Sequence, residues 1–358
     1  MLHASYTQYI LRFKTPSGTS RGILTEKETF FIRIFDDSNP TILGEGECAV
    51  FRGLSIDGVP EYENVLADIC WNIEEYKENF REKFNRFPSI ICGLEMAFAD
   101  LKNGGIRQPF PSDFTQRKDF IRINGLIWMG TKENMRQQII EKIEKGFSCI
   151  KLKIGAINFE EELEMLREIR KEFSPKEIEL RVDANGAFTS EEALPKLEQL
   201  AQLNLHSIEQ PIKAGQPEAM SGLCRKSPIP IALDEELIGH FTKEEKRKLL
   251  QKITPSYIVL KPSLHGGFCG TQEWIDLARE LHTDWWITSA LESNIGLNAI
   301  AQWAYLQNNP LPQGLGTGQL FLNNVPPEPD LRGDKFYFVS RISRNILPYL
   351  RQKFKHRF

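Results

Sequence analysis

Five apolar runs in this 358-residue chain each end in an ionisable residue: Cys-Ile-Lys-Leu-Lys153, Leu-Arg-Val-Asp183, Ser-Ile-Glu209, Ile-Ala-Leu-Asp234 and Ile-Val-Leu-Lys261. Their separations are 30, 26, 25 and 27 residues, each the length of one strand–helix unit. A charge at the end of an apolar strand is costly to bury alone, so the series implies mutual compensation or a bound ion. Asp183, Glu209 and Asp234 would converge from three adjacent strands, and three carboxylates repel one another unless a cation sits among them. All-oxygen ligation without His or Cys suits Mg²⁺ or Mn²⁺ rather than zinc. His206 precedes Glu209 by three and so falls on the opposite strand face, which argues against its being a ligand. Lys151 and Lys153 share a strand face, and Lys261 lies three strands beyond Asp183, across the mouth. A lysine beside a divalent ion and a second ammonium is expected to have a lowered pKa and to be available as a base. Lys153 and Lys261 are therefore the candidate catalytic residues, with Lys151 as electrostatic support. Taken singly, each acid could be a strand-end cap paired with a lysine; three in register, flanked by lysines, point to a site.

Other residues are candidates for support. Arg181 and Asn185 share the strand face of Asp183 and are expected to orient it. Glu235, next to Asp234, is a candidate for the same task. The segment Ile287-Thr-Ser-Ala-Leu-Glu-Ser-Asn294 offers Ser289 and Glu292 to a polar substrate group. Gly314-Leu-Gly-Thr-Gly318, with Gly316 at its centre, could let backbone N–H groups approach an anion. No Walker-type loop is present, and no dinucleotide fingerprint sits between a strand and a helix.

The elements that must carry these residues follow from periodicity. From about Ile121, short β-branched runs alternate with charged amphipathic stretches. The expected strands are 121–128, 148–154, 178–184, 206–210, 229–234, 256–261 and 285–290, with helices such as Thr131 to Lys145 and Phe159 to Phe173. Such alternation argues for parallel βαβ units. Seven or eight of them in roughly 200 residues fit a closed barrel, whose C-terminal mouth carries the chemistry, better than a doubly wound open sheet. The first ~120 residues have a mixed α+β texture. Strands are expected over Tyr6 to Phe13 and Thr29 to Phe35, joined by a Gly/Ser/Thr-rich loop from Thr15 to Gly22, and Gly44 to Val50 is a further edge strand. Helical patterns follow at Tyr62 to Phe80 and Pro88 to Lys102, the second stopped by Asn103-Gly-Gly105. The predicted fold is thus α/β, a (β/α)7β modified TIM barrel over 121–320 with an α+β capping domain over 1–120. A C-terminal segment, 321–358, is expected to pack back on the cap, and its tail from Arg341 is basic.

Composition limits the partners. Hydrophobic residues at 41% and charged residues at 26% exclude a disordered chain. Lys and Arg number 45 against 48 Asp and Glu, so no excess of positive charge favours nucleic acid or an anionic membrane. No apolar run approaches the ~20 residues of a spanning helix, and no secretion signal is evident at the start. The six cysteines have no CxxC spacing, and several lie in apolar runs, as expected of reduced packing residues in a cytoplasmic protein. A small-molecule carboxylate is the expected partner.

Lys151-Leu-Lys153, Arg181-Val-Asp183-Ala-Asn-Gly-Ala-Phe188, Ile208-Glu209-Gln-Pro211, Asp234-Glu235 and Lys261-Pro262 together resemble the enolase superfamily, in its muconate-cycloisomerase-like branch. The order and spacing of these motifs match over about 110 residues. The likeness implies Mg²⁺ on the three carboxylates and two lysines on opposite faces of a carboxylate substrate, the general pattern of superfamily sites. Within the branch, Ser289-Ala-Leu-Glu-Ser-Asn-Ile-Gly296, Asn124-Gly-Leu-Ile-Trp-Met-Gly130 and Gln313-Gly-Leu-Gly-Thr-Gly-Gln-Leu320 resemble the o-succinylbenzoate synthase group, whose reaction is a syn-dehydration. The Thr15–Gly22 loop would then close over the mouth. N-Succinylamino-acid racemases share nearly the same catalytic residues and are the alternative, with a non-catalytic metal-dependent binding protein as the alternative of another class.

Overall fold

The structure is a computed structural model that describes residues 1–19, 22–155 and 157–339. It opens with a long antiparallel hairpin, β1 (Leu2–Thr19) and β2 (Gly22–Asp36), to which β3 (Gly44–Cys48) adds on the β2 side. The period-2 alternation of β2 gives each face its own partner. Phe30, Ile32 and Ile34 pack with Tyr62, Leu66, Ile69 and Leu94, whereas Phe31 packs with Ile295 and Val325 of the barrel side. The expected loop at Thr15–Gly22 is instead part of this hairpin. Pairing resumes after an irregularity between Arg12 and Ser17, with Ser17 opposite Leu24, Gly18 opposite Ile23 and Thr19 opposite Gly22. Gly18 also bridges to Met129. The arm is held by the opposite strand and by the barrel, contacts that turn-like composition does not reveal.

The helical pattern at 62–80 breaks into α1 (Tyr62–Trp71), α2 (Ile73–Tyr76) and α3 (Phe80–Lys83), because Asn72 (φ −112°) and Asn79 (φ −121°) leave helical geometry. Helix α4 (Pro88–Lys102) runs as expected and ends where Gly104 and Gly105 take positive φ. It lies so close to β3 that a Cβ on Gly46 would stand 2.0 Å from the Gly93 carbonyl oxygen, so only glycine fits there.

The expected strand at 121–128 divides. β4 (Ile121–Arg122) leaves the barrel to pair elsewhere, and β5 (Gly125–Ile127) starts the parallel sheet. Then follow α5 (Lys132–Glu144), β6 (Cys149–Lys153), α6 (Phe159–Glu172), β7 (Glu179–Asp183), α7 (Ser190–Ala201), β8 (Ser207–Glu209), α8 (Pro217–Lys226), β9 (Ile231–Leu233), α9 (Lys243–Ile253), β10 (Tyr257–Leu260), α10 (Gly267–Glu280), β11 (Asp284–Ile287) and α11 (Asn294–Leu306). The seven parallel strands lie in chain order from β5 to β11. The eighth position is filled by Gln313 and Gly314. Gln313 N–H donates to the Arg122 carbonyl and Gly314 N–H to that of Ile287, while Asn124 N–H and Ser289 N–H donate back to the carbonyls of Gln313 and Gly314. This closes the modified barrel without a regular strand.

After the barrel, Leu322 N–H donates to the Arg12 carbonyl, and the Asn323 side chain bonds the Ile10 carbonyl and Arg12 N–H on β1. β12 (Asp330–Arg332) and β13 (Lys335–Tyr337) form a small antiparallel sheet with β4. The basic tail from Arg341 lies outside the described residues. Among the described residues no helix is long and apolar enough to cross a membrane. Cys48, Cys92 and Cys149 are buried packing residues, whereas Cys269 is exposed.

Candidate active site

Parallel strands in chain order place the ends of β6, β7, β8, β9 and β10 around one mouth, and with them Lys153, Asp183, Glu209, Asp234 and Lys261. A cavity there is lined by Lys151, Lys153, Asp183, Asn185, Glu209 and Lys261, with Asp234 buried behind them. Lys151 Nζ lies 2.9 Å from Asp183 Oδ2 and 2.5 Å from Glu209 Oε2. Lys153 Nζ donates to the same Asp183 oxygen at 3.0 Å and to Asn185 Oδ1 at 2.7 Å. Lys261 Nζ bonds Asp234 Oδ2 at 2.5 Å. β6 and β10 stand four positions apart in the sheet, so Lys153 and Lys261 reach the cavity from opposite sides.

The electrostatics follow from burial and these partners. Burial raises the Asp183 carboxyl, but Lys151 and Lys153 outweigh it and hold the group well below the usual carboxylate range. Asp234 is likewise lowered, with Lys261 overcoming burial. Glu209 goes the other way: burial and the neighbouring Asp183 charge push it well up, more than Lys151 offsets. Lys151 and Lys261 follow their carboxylate partners. Burial alone would lower Lys151 and Lys261, yet Asp183 and Glu209 raise the first and Asp234 raises the second. In these ion pairs the carboxylates turn their charge onto Lys151 and Lys261, whereas the lowering expected of a lysine applies beside a divalent ion.

The same interleaving bears on metal binding. Among the described residues no three acid, histidine or cysteine side chains stand together as a ready cage for an ion, since ammonium groups lie between the carboxylates. The donors nevertheless suit a hard divalent cation. Glu209 Oε1 and Asp234 Oδ1 are buried without a hydrogen-bond partner, and a buried carboxylate oxygen left unpaired is costly. Two orphaned oxygens beside Asp183 fit an oxygen-coordinated cation.

The supporting residues sort differently. Asn185, at φ 45°, donates its N–H to Asp183 Oδ1 (3.0 Å), accepts from Lys153 and donates from Nδ2 to Glu235 Oε1 (3.0 Å). It joins Lys153, Asp183 and Glu235 in one chain. Arg181 does not orient Asp183. It is buried one layer deeper, bonds Glu179 Oε1 and the Pro312 carbonyl, and lies 4.4 Å from the Trp286 ring centre. Trp286 in turn lines the cavity. Ser289 and Gly316 line the cavity. Glu292 is fully buried with its oxygens occupied by Ser263 Oγ, Ser289 Oγ and the Ala290 N–H, so it shapes the seventh-strand loop. His206 bonds Ser207 Oγ and packs against Tyr257, away from the carboxylates.

Several cavity residues escape sequence reasoning. Leu24 from the hairpin, Phe51 and Leu54 from the cap, and Trp128 and Leu291 from the barrel form an apolar wall. Asn124 Oδ1 and Thr317 Oγ1 stand on the same cavity without hydrogen-bond partners. Leu24, Phe51 and Leu54 carried no signal, because their placement depends on the cap meeting the barrel. Asn124, Trp128, Leu291 and Thr317 lay in motifs already noted, Trp128 with its ring 5.8 Å from Lys153 Nζ.

Known proteins resemble this chain closely. Residues 134–335 match the family model described as enolase C-terminal domain-like. An o-succinylbenzoate synthase of Desulfotalea psychrophila is 45% identical, over 91% of this chain and 96% of its own. The crystal structure of MenC from the same bacterium superposes with a TM-score of 0.82 at 40% identity, covering 94% of this chain and 99% of that one. An Enterococcus faecalis dipeptide epimerase complexed with Mg and the dipeptide L-Leu-L-Tyr shares the fold, with a TM-score of 0.79 at 20% identity over 94% of this chain and 96% of that one. An N-succinyl-L-Arg/Lys racemase of Bacillus cereus is 24% identical over 64% of this chain and 61% of its own.

Proposed function

The chain belongs to the enolase superfamily, and from that membership we infer that it catalyses the o-succinylbenzoate synthase reaction. This is the dehydration of SHCHC, a cyclohexadiene carboxylate bearing a succinyl side chain, to o-succinylbenzoate in menaquinone biosynthesis. The observation that carries it is the 45% identity to a synthase over nearly the whole of both chains.

The residues account for the chemistry as follows. Asp183, Glu209 and Asp234 would hold Mg²⁺, or Mn²⁺ in its place. When bound, the ion supplies positive charge against the carboxylate onto which negative charge moves as the α-proton leaves. Lys153, as the neutral amine, takes that proton and the C–H electron pair passes into the carboxylate. The C–O bond on the same ring face then breaks, Lys153 returns the proton to the departing oxygen, and water leaves. Asn185 and Asp183 position the Lys153 amine. Lys261, on the opposite side, faces the ring as a cation and favours the anionic state by charge and by its position over the π-face. Loss of water makes the ring aromatic, so only the first proton transfer needs strong assistance. Leu24, Phe51, Leu54 and Leu291 keep water from the reacting ring.

The same lysine pair could racemise N-succinylamino acids, each lysine serving one face. Assaying SHCHC and N-succinylamino acids side by side, with EDTA and then added Mg²⁺, tests both readings. Dehydration of SHCHC that disappears in EDTA and returns with Mg²⁺ is the expected result. Efficient racemisation with no dehydration would sink the synthase reading, and full activity in chelator would sink the metal site.

A further inference from the structure

We infer that Gln210 is a positioning residue that fixes Asp234 relative to Glu209 and so sets the affinity of the three carboxylates for their divalent cation. The inference rests on the metal reading proposed above. Gln210 directly follows Glu209, is fully buried, and holds a left-handed backbone at φ 40°. A residue with a Cβ adopts that conformation at a cost, and such strain persists only where its surroundings enforce it.

Its backbone and side chain together explain what is enforced. Gln210 N–H donates to the Ala232 carbonyl at 2.9 Å, and Gly186 N–H donates to the Gln210 carbonyl at 2.7 Å. The turn therefore links the strand ends carrying Asp183, Glu209 and Asp234. The carboxamide completes the link. Its Oε1 accepts from Asp234 N–H at 3.1 Å and from Glu236 N–H at 3.2 Å, while Nε2 donates to the Ile212 carbonyl at 3.0 Å and to Glu236 Oε2 at 3.3 Å. Every hydrogen-bonding position on the carboxamide is used.

Asp234 depends on this hold. Its backbone, at φ −124° and ψ −82°, belongs to neither strand nor helix. Its side chain has Lys261 on one oxygen and no partner on the other. The direction in which that free oxygen points is therefore set through the main chain, and the main-chain N–H is held by Gln210. Groups that orient metal-binding carboxylates commonly change metal affinity about 10–100-fold when removed.

The test is Mn²⁺ binding by metal-stripped protein, followed by the electron paramagnetic resonance of free Mn²⁺, with circular dichroism to check folding. Gln210→Met has similar length and a Cβ, so it keeps the bulk and the backbone cost while losing the acceptor. It should weaken Mn²⁺ binding about 10–100-fold. Gln210→Asn keeps the carboxamide and suits the left-handed backbone, but one methylene shorter it withdraws the acceptor from the Asp234 and Glu236 N–H groups and should likewise weaken Mn²⁺ binding. Raising Mg²⁺ in the assay should restore more of the Gln210→Met activity than a purely structural lesion would allow. A folded Gln210→Met protein with wild-type Mn²⁺ affinity overturns the inference. If Gln210→Met does not fold, Gln210→Asn decides: a folded Gln210→Asn protein with wild-type affinity overturns it, and one that has lost affinity supports it. Wild-type protein that binds no Mn²⁺ would instead bring down the metal reading itself, and this inference with it.

Discussion

At the scale of single residues, the two lysines divide dehydration from racemisation. In the proposed syn elimination Lys153 would make both proton transfers and Lys261 would contribute only charge, whereas racemisation needs a proton removed at one face and one delivered at the other. Lys261→Arg keeps a cation that is too basic to accept a proton at neutral pH. It should retain measurable dehydration of SHCHC and lose racemisation of N-succinylamino acids, so the ratio of the two rates is the measurement. Racemisation surviving in this variant would contradict the assignment. The strand-end charges were legible because a charge every 25 to 30 residues has few structural explanations. Arg181 was not, since the two-residue rule gives the shared face but not the depth. Two residues along a strand is about 6.6 Å, enough to drop Arg181 from the mouth to the layer under Trp286. His265, in a His265-Gly-Gly267 segment that reads from sequence as loop, has a role that this reading does not show. Its Nδ1 accepts the Lys261 N–H at 3.1 Å, and burial pulls the imidazole down to about 3, although Asp234 pulls the other way. The folded chain thus takes this proton near pH 3, while the unfolded chain takes it near pH 6.5. Between those values the unfolded chain holds the extra proton, so stability falls as pH drops through 6.5, by about 1.4 kcal/mol per pH unit from this group. His265→Asn keeps an acceptor for Lys261 and removes the titration. Denaturant unfolding at pH 7 and pH 5 should show a shallower loss for the variant; parallel losses would refute the role.

At the scale of elements, the barrel was legible and its irregular parts were not. Strands β6 to β10 fall within the expected segments because each is an apolar run bounded by turn residues. The split of 121–128 was hidden because the strand-forming residues Ile121, Ile123, Leu126 and Ile127 stand on both sides of Asn124-Gly125. Only the return of β13 to pair with β4 separates them. The hairpin arm was hidden for the opposite reason: Thr15-Pro-Ser-Gly reads as turn, and its pairing depends on the other strand and on Met129. Closure at Gly314 is the element that joins fold to site. A Cβ at this position would stand 2.1 Å from Thr288 Oγ1 and 2.6 Å from Thr288 Cβ, while Thr288, Ser289 and Gly314 all line the cavity. Gly314→Ala must push the two chain segments apart or forfeit the bonds between them. It should cost about 1–3 kcal/mol of stability through overpacking, read from the urea midpoint. Turnover should fall further than stability alone explains, measured below the unfolding transition. An unchanged midpoint and rate would show that Gln313 and Gly314 are not the closing contact.

At the scale of the whole molecule, cap and barrel are joined by two buried glutamates, each completing a helix that belongs to the other part. Glu47 of β3 accepts from Ser293 N–H and Gly296 N–H at 2.9 Å each and from Ser293 Oγ, at the start of α11. Glu95 of α4 accepts from Phe268 N–H at 2.6 Å and Cys269 N–H at 3.2 Å, at the start of α10. Helix α10 has glycine at its N-cap and no side-chain cap of its own, so the cap supplies what its own sequence lacks. The first N–H groups of a helix need acceptors, and a negative charge there also favours the helix dipole. Both helices follow strands whose loops line the cavity, so the joint that holds the cap also holds the rim of the site. None of this could be seen in the sequence, where Glu47 and Glu95 are ordinary acids some 170 to 250 residues from their partners. Glu95→Ala should leave the Phe268 and Cys269 amides without acceptors and destabilise the protein by roughly 1–3 kcal/mol. Hydrogen exchange followed by mass spectrometry localises the effect. Peptides spanning the start of α10 should exchange faster in Glu95→Ala while those at the start of α11 stay protected, and Glu47→Ala should give the reverse. Because α10 begins only a few residues after Lys261, Glu95→Ala should also slow dehydration, although Glu95 does not line the cavity. Equal acceleration at both helices in both variants would mean that the cap detaches as one body, and that neither glutamate secures its own helix.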